Sequence, residues 1–206
     1  MIQPVLLEIR NLSCMRNDNR LFEALNARLE PGQMLLVEGP NGSGKTSLLR
    51  ILTGLRLPDQ GEVLWRGESI EKLAGEYYER INYVGHHDGI KLQLTCVENL
   101  RLARAMGIPS GLTVDEVLEQ VNLYAEGEIE ASALSAGQRR RLALARLLAT
   151  ESTLWILDEP FTSLDRNSIS MFHCIFERHL QQGGAVVMTS HHQISLPGSV
   201  MPLRLG

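Results

Sequence analysis

The chain has 206 residues, 44% hydrophobic and 21% charged. That balance excludes a disordered or collagen-like chain and gives enough length for one core with, at most, a small subdomain. The net charge of −4 lacks the basic excess of a nucleic-acid-binding domain, and no apolar stretch approaches the roughly 20 residues of a membrane span.

The N-terminal MIQPVLLEIR lacks the basic start and apolar run of a secretory signal, so a cytoplasmic location is expected. Cys14, Cys96 and Cys174 are odd in number and far apart, which argues against a disulfide framework or a zinc knuckle. In chain order, hydrophobic patterning predicts a strand over 5–9 and a strand over 34–38 followed by a helix over 45–53. Strands over 62–65 and 81–84 come next, then helices over 96–105, 113–121 and 136–149. A strand over 154–157, a helix over 166–181 and strands over 185–189 and 200–204 complete the reading. The runs at 154–157 and 185–188 are continuously apolar, as in strands buried on both faces of a parallel sheet. Strand–helix alternation indicates an α/β core. The early strands and turns at Pro31-Gly32 and Asp59-Gln60-Gly61 indicate an attached antiparallel β layer. Residues 92–131 form a small helical subdomain inserted in what reads as one domain over 1–206.

Gly39-Pro40-Asn41-Gly42-Ser43-Gly44-Lys45-Thr46 fits GxxxxGK[ST] and stands between a predicted strand and a predicted helix, the context this motif requires. Small residues let the backbone curl so that N–H groups converge on phosphate oxygens, and the helix start, through Ser47, adds partial positive charge. Lys45 supplies an ammonium for the outer phosphates, and the Thr46 hydroxyl can ligate Mg²⁺. Leu154-Trp155-Ile156-Leu157-Asp158-Glu159 is an apolar strand ending in two acids. Asp158 is the second candidate Mg²⁺ ligand, and Glu159 can polarise a water for in-line attack on the γ-phosphate. No Asn-Lys dipeptide occurs, which disfavours a guanine-specific GTPase.

Leu134-Ser135-Ala136-Gly137-Gln138 precedes the basic, helical RRRLALARLLA. This resembles the LSGGQ signature of ABC-transporter ATPases. Thr162-Ser163-Leu164-Asp165, after Asp158-Glu159-Pro160-Phe161, resembles the D-loop, and Thr189-Ser190-His191 resembles the switch histidine, with His192 as the less favoured neighbour. The resemblance spans residue 6 to about residue 192 and implies a P-loop ABC cassette with a RecA-like parallel core. It implies ATP and Mg²⁺ as ligands and a second cassette, in a homodimer, whose Ser135, Gly137 and Gln138 close over the triphosphate. On its own, Ser135 is also a plausible helix N-cap.

Three positions depart from the family pattern. Where a Gln contacting Mg²⁺ and water is expected, the chain reads Gly85-His86-His87-Asp88-Gly89, with His86 or His87 in its place. Where an aromatic ring for adenine is expected, it reads Cys14-Met15-Arg16-Asn17-Asp18-Asn19, leaving Arg16 to stack its guanidinium or Phe22 to substitute. Ala136 replaces the first signature glycine. The adjacent histidine pairs lack the i, i+4 spacing of a helical metal site. The text around Leu49–Trp65, Gly85–Lys91 and Leu154–Thr162 is most similar to the haem-exporter branch of the family, which serves c-type cytochrome maturation. That resemblance implies a peripheral ATPase on the cytoplasmic face of the bacterial inner membrane, working with integral membrane subunits and not with nucleic acid. An ABC subunit for another cargo and a soluble ABC ATPase are the alternatives.

Overall fold

A computed structural model describes residues 5–17, 19–190 and 199–205. Two sheets organise them. The first is antiparallel, built from β1 (Leu7–Arg16), β2 (Asn19–Leu29), β4 (Gln60–Trp65) and β5 (Glu68–Ser69) in the order β2-β1-β4-β5. The second is parallel, built from β3 (Gln33–Glu38), β6 (Ile81–Val84), β7 (Leu154–Leu157), β8 (Ala185–Thr189) and β9 (Ser199–Arg204) in the order β6-β7-β8-β3-β9.

The expected strand over 5–9 is longer than its pattern suggests, and β2 lies where none is expected. Both discrepancies have one cause. The β1–β2 pairing shifts register after Ile9, Leu12 and Cys14, so bulges interrupt the period-2 alternation that reveals a strand. Asn11 and Ala24 take left-handed φ angles of 47° and 47° at these irregularities. Side chains satisfy the freed backbone there: the Asn11 amide donates to Asn26 Oδ1 at 2.9 Å and the Ala24 amide to Ser13 Oγ at 3.1 Å.

The central parallel strands β3, β7 and β8 are buried on both faces, and their alternation divides the core. Met34, Leu36, Trp155, Leu157, Val186 and Met188 face one hydrophobic cluster. It is completed by α4 (Cys96–Met106), α5 (Val114–Gln120), α6 (Ala136–Ala149) and α7 (Arg166–Gln181). Leu35, Val37, Leu154, Ile156 and Val187 face the other, shared with α1 (Lys45–Leu52) and the antiparallel sheet. Two short helices, α2 (Ile70–Leu73) and α3 (Gly75–Tyr78), lead into β6.

Local chemistry fixes the helix starts. Thr95 with Glu98, Thr113 with Glu116 and Ser135 with Gln138 each close a reciprocal capping box. Asp165 caps α7 through the Ser168 amide at 2.8 Å. Between residues 92 and 131 the structure places α4, α5 and the 3₁₀ turn Tyr124–Glu126, packed against α6, and a second 3₁₀ turn, Ala131–Ala133, follows. Among the described residues no helix is long and apolar enough to cross a membrane.

Candidate active site

The glycine-rich segment 39–44 turns between the carboxyl end of β3 and the start of α1. Gly44 is the N-cap of α1, with φ 100°. A Cβ there would stand 2.9 Å from Leu21 Cβ and 3.1 Å from Phe22 Cδ1. Glycine therefore serves both the left-handed turn and the close packing of β2 against the loop. Phe22 is buried in that contact, so its ring is occupied in packing and not offered to a base. Arg16, at the exposed end of β1, pairs with Asn19 across the hairpin. The neighbouring Met15 is clamped, its amide donating to Asp59 Oδ2 at 2.7 Å and its carbonyl accepting from Arg56 Nη2 at 2.5 Å.

Lys45 is 7% exposed, and its Nζ donates to the carbonyls of Gly39 at 2.7 Å and Pro40 at 3.2 Å. Among the described residues it has no carboxylate partner. A buried cation held only by carbonyls is electrostatically incomplete. Ser43 Oγ, in the same loop, is buried without a hydrogen-bond partner. An uncompensated ammonium, an orphaned hydroxyl and the amino end of α1 together fit a polyanion.

Across from the loop, β7 delivers Asp158, 3% exposed. Its carboxylate accepts from Thr46 Oγ1 on Oδ2 and from Thr189 Oγ1 on Oδ1, both at 2.8 Å. Thr189 Oγ1 in turn accepts the Glu159 amide at 2.8 Å. The carboxylate and hydroxyl pair Asp158–Thr46 is a hard-oxygen donor set suited to Mg²⁺. Glu159 takes a left-handed φ of 48°, which turns the chain abruptly at the strand end. Tyr83, at the end of β6, has its phenol pKa raised by burial and further by the nearby Asp158 charge.

The tip of α6 is arranged differently. Ser135 and Ala136 are exposed, and the bonds made by the Ser135 and Gln138 side chains run to each other and to Glu126. None of these partners comes from the segment 39–46. Gly137 lies against the D-loop-like segment, where a Cβ would stand 3.0 Å from the Ser163 carbonyl. His86 and His87 are both exposed and meet edge to face at 5.6 Å; the carboxylate of the same loop, Asp88, turns instead toward α6. His191 and His192 lie outside the described residues.

Residues 22–162 match the ABC transporter family model. The chain belongs to the ABC transporter family. Its relatives narrow the branch. It is 45% identical over 200 residues, 95% of this chain and 96% of the relative, to the cytochrome c biogenesis ATP-binding export protein CcmA of Nitrosospira multiformis. It is 47% identical over 194 residues, 92% and 90% of the two chains, to the protein of that name in Nitrosomonas europaea. A dimeric ATP-binding cassette in a post-hydrolysis state with ADP and Pi superposes with a TM-score of 0.80, covering 91% of this chain and 88% of that one at 22% identity, a likeness of fold. The chain is thus an ABC ATPase of the CcmA type, and the segments expected to carry the phosphate loop and the paired acids meet at one end of the parallel sheet.

Two further groups carry functional geometry that sequence reasoning missed. Thr189 bonds both acids; the sequence placed it in the segment resembling the switch motif, but only as the residue leading to His191. Arg140 is 3% exposed within α6; its signal is that it falls on the helix face shared with the apolar positions Leu144 and Leu147.

Proposed function

We propose that the chain powers a membrane complex for haem delivery or export in c-type cytochrome maturation, acting as a homodimer with two ATP molecules at the shared interface. The names of its relatives support the cargo class. The observation that carries the chemistry is the buried Lys45 ammonium without a carboxylate, on a loop that Thr46 ties to Asp158. In this reading one ABC ATPase domain spans 1–206, with the helical subdomain at 92–131 inserted.

The backbone N–H groups of residues 39 and 41–47, with the Lys45 ammonium, hold the β- and γ-phosphates, and charge-assisted bonds from the ammonium strengthen as negative charge moves onto the leaving oxygens. Thr46 and Asp158, with His86 at a greater remove, would hold Mg²⁺, which when bound neutralises phosphate charge. Glu159 orients a water and accepts its proton as the water oxygen bonds to the γ-phosphorus; the bond to the β-phosphate oxygen breaks, and ADP and phosphate result. His191 steadies the γ-phosphate, and Arg16 stacks on adenine. Ser135, Gly137 and Gln138 of the second copy close the pocket from the opposite side, which fits the exposure of Ser135, the half-burial of Gly137 and Gln138, and the absence of phosphate-loop residues among the side-chain partners of Ser135 and Gln138.

A cleft of about 650 Å³ between the α4 region and the sheet is lined by Leu55, Tyr78, Met106 and Arg146 among others. Leu55, Tyr78 and Met106 are 68%, 50% and 82% exposed. An exposed apolar groove of this kind suits a helix of an integral membrane subunit, which supports a position at the cytoplasmic face of the inner membrane. The test is Glu159→Gln. With ATP it should bind nucleotide, scarcely hydrolyse it and accumulate as a dimer in native membranes with its membrane subunits. Normal turnover would remove Glu159 from the role of base.

A further inference from the structure

Arg140 projects from α6 into the gap between two loops. Its guanidinium has five N–H groups, and the structure supplies five acceptors. Nε donates to the Pro160 carbonyl at 2.9 Å. Nη2 donates to the carbonyls of Asp158 at 3.0 Å and Glu159 at 2.9 Å. Nη1 donates to the Gly85 carbonyl at 3.0 Å and to Asp88 Oδ1 at 3.2 Å. Three successive carbonyls around Glu159 therefore converge on one planar cation, and they do so where Glu159 holds its left-handed φ of 48°. A non-glycine residue keeps such a conformation only when its surroundings fix it.

The other half of the fork holds the 85–89 loop. Arg146, two turns further along α6, adds longer contacts from Nη1 to the carbonyls of Asp88 and Gly89, both at 3.4 Å. Gly89 and Lys91 border the apolar cleft. One buried side chain thus bridges the strand end that carries the paired acids and the loop that edges the cleft.

We infer that Arg140 is a positioning residue that sets the backbone of Glu159 and ties it, through the Gly85 carbonyl and Asp88, to the 85–89 loop. This rests on the reading of Glu159 as the base. A lysine has three donors and no planar fork, so it cannot satisfy the set.

The test compares ATP hydrolysis and binding of a fluorescent ATP analogue for the full chain in the complex drawn from membranes. Arg140→Lys should lower kcat by about 10²-fold, the scale of a misplacement near 1 Å, while analogue affinity stays within about threefold. Placed in the Glu159→Gln background, it should produce no further fall, because it acts through Glu159. A kcat within about twofold of the parent, an equal loss of affinity, or an additional fall in that background overturns the inference. Should Arg140→Lys fail to fold, Asp88 decides. Asp88→Ala should lower kcat at unchanged KM, and Asp88→Asn, which keeps the Oδ1 acceptor, should restore it; an Asp88→Ala chain with parental kcat overturns the inference. If Glu159→Gln itself turns over normally, the reading of the base fails. If it is inactive while Arg140→Lys and Asp88→Ala are fully active, only the role of Arg140 fails.

Discussion

Thr189 Oγ1 donates a hydrogen bond to Asp158 Oδ1 at 2.8 Å and accepts one from the Glu159 amide, also at 2.8 Å. A single hydroxyl thus fixes one acid by its side chain and the next by its backbone. Because a buried carboxylate needs its lone pairs matched, the arrangement holds only while the donor is present.

Replacing that hydroxyl with a methyl of equal size removes both bonds at once. Thr189→Val should cost about 1–3 kcal/mol of stability, the penalty for an unsatisfied buried acceptor. It should also lower kcat by about tenfold or more, with ATP affinity little changed, because the acids lose their alignment and not their charge. Thr189→Ser should retain most of both properties. Urea denaturation and steady-state kinetics check the pair.

Lys45 makes the opposite trade. Among the described residues its ammonium bonds only the carbonyls of Gly39 and Pro40, so without nucleotide it costs desolvation with no ionic partner among them. Lys45→Met should leave stability unchanged or raise it. Nucleotide binding should weaken by at least about tenfold, since hydrogen bonds to charged groups contribute roughly 1.5–3 kcal/mol. A titration with a fluorescent ATP analogue alongside a urea melt measures both effects on one preparation.

His179 sets the response to acid. Its ring stacks on Trp155 with centroids 3.7 Å apart and planes 5° apart. Only glycine fits beneath it, because a Cβ at residue 184 would stand 2.3 Å from the imidazole. Burial lowers its pKa from 6.5 to about 4, offset in part by hydrogen bonding to the backbone at Ala185 and Thr153, and Nε2 has no partner. Above pH 6.5 the ring is neutral in both folded and unfolded chains, and the folded state carries no penalty. Below it the unfolded chain gains a proton that the folded chain refuses, so stability falls until the pH passes the folded value. The loss attributable to this residue is about 2 kcal/mol between pH 7 and pH 5. His179→Phe should shrink the fall in stability over that interval by about this amount, read from denaturation curves at the two pH values.

Much of the architecture was legible because its signals are local. The apolar run at Leu154–Leu157, the glycine-rich turn before Lys45 and the S/T-x-x-E/Q starts of α4, α5 and α6 each encode their own conformation. β2 was hidden for a physical reason: bulges break its alternation and most of its side chains face solvent, so neither period nor hydrophobicity marks it. The candidate adenine contact was narrowed only by packing, since nothing in the letters says that Phe22 is spent against Gly44 while Arg16 stays exposed.

By itself, the sequence determined the family and marked the glycine-rich turn and the acid-terminated strand, because backbone curl, helix capping and a buried apolar run depend on neighbouring residues. Tertiary structure decided which side chains hold those groups in place. Thr46 and Thr189 reach Asp158, and Arg140 reaches across to Gly85, Asp88 and Pro160, over separations that no local pattern spans. A hydroxyl or guanidinium acquires its role only when the fold brings acceptors to it and removes the competing water.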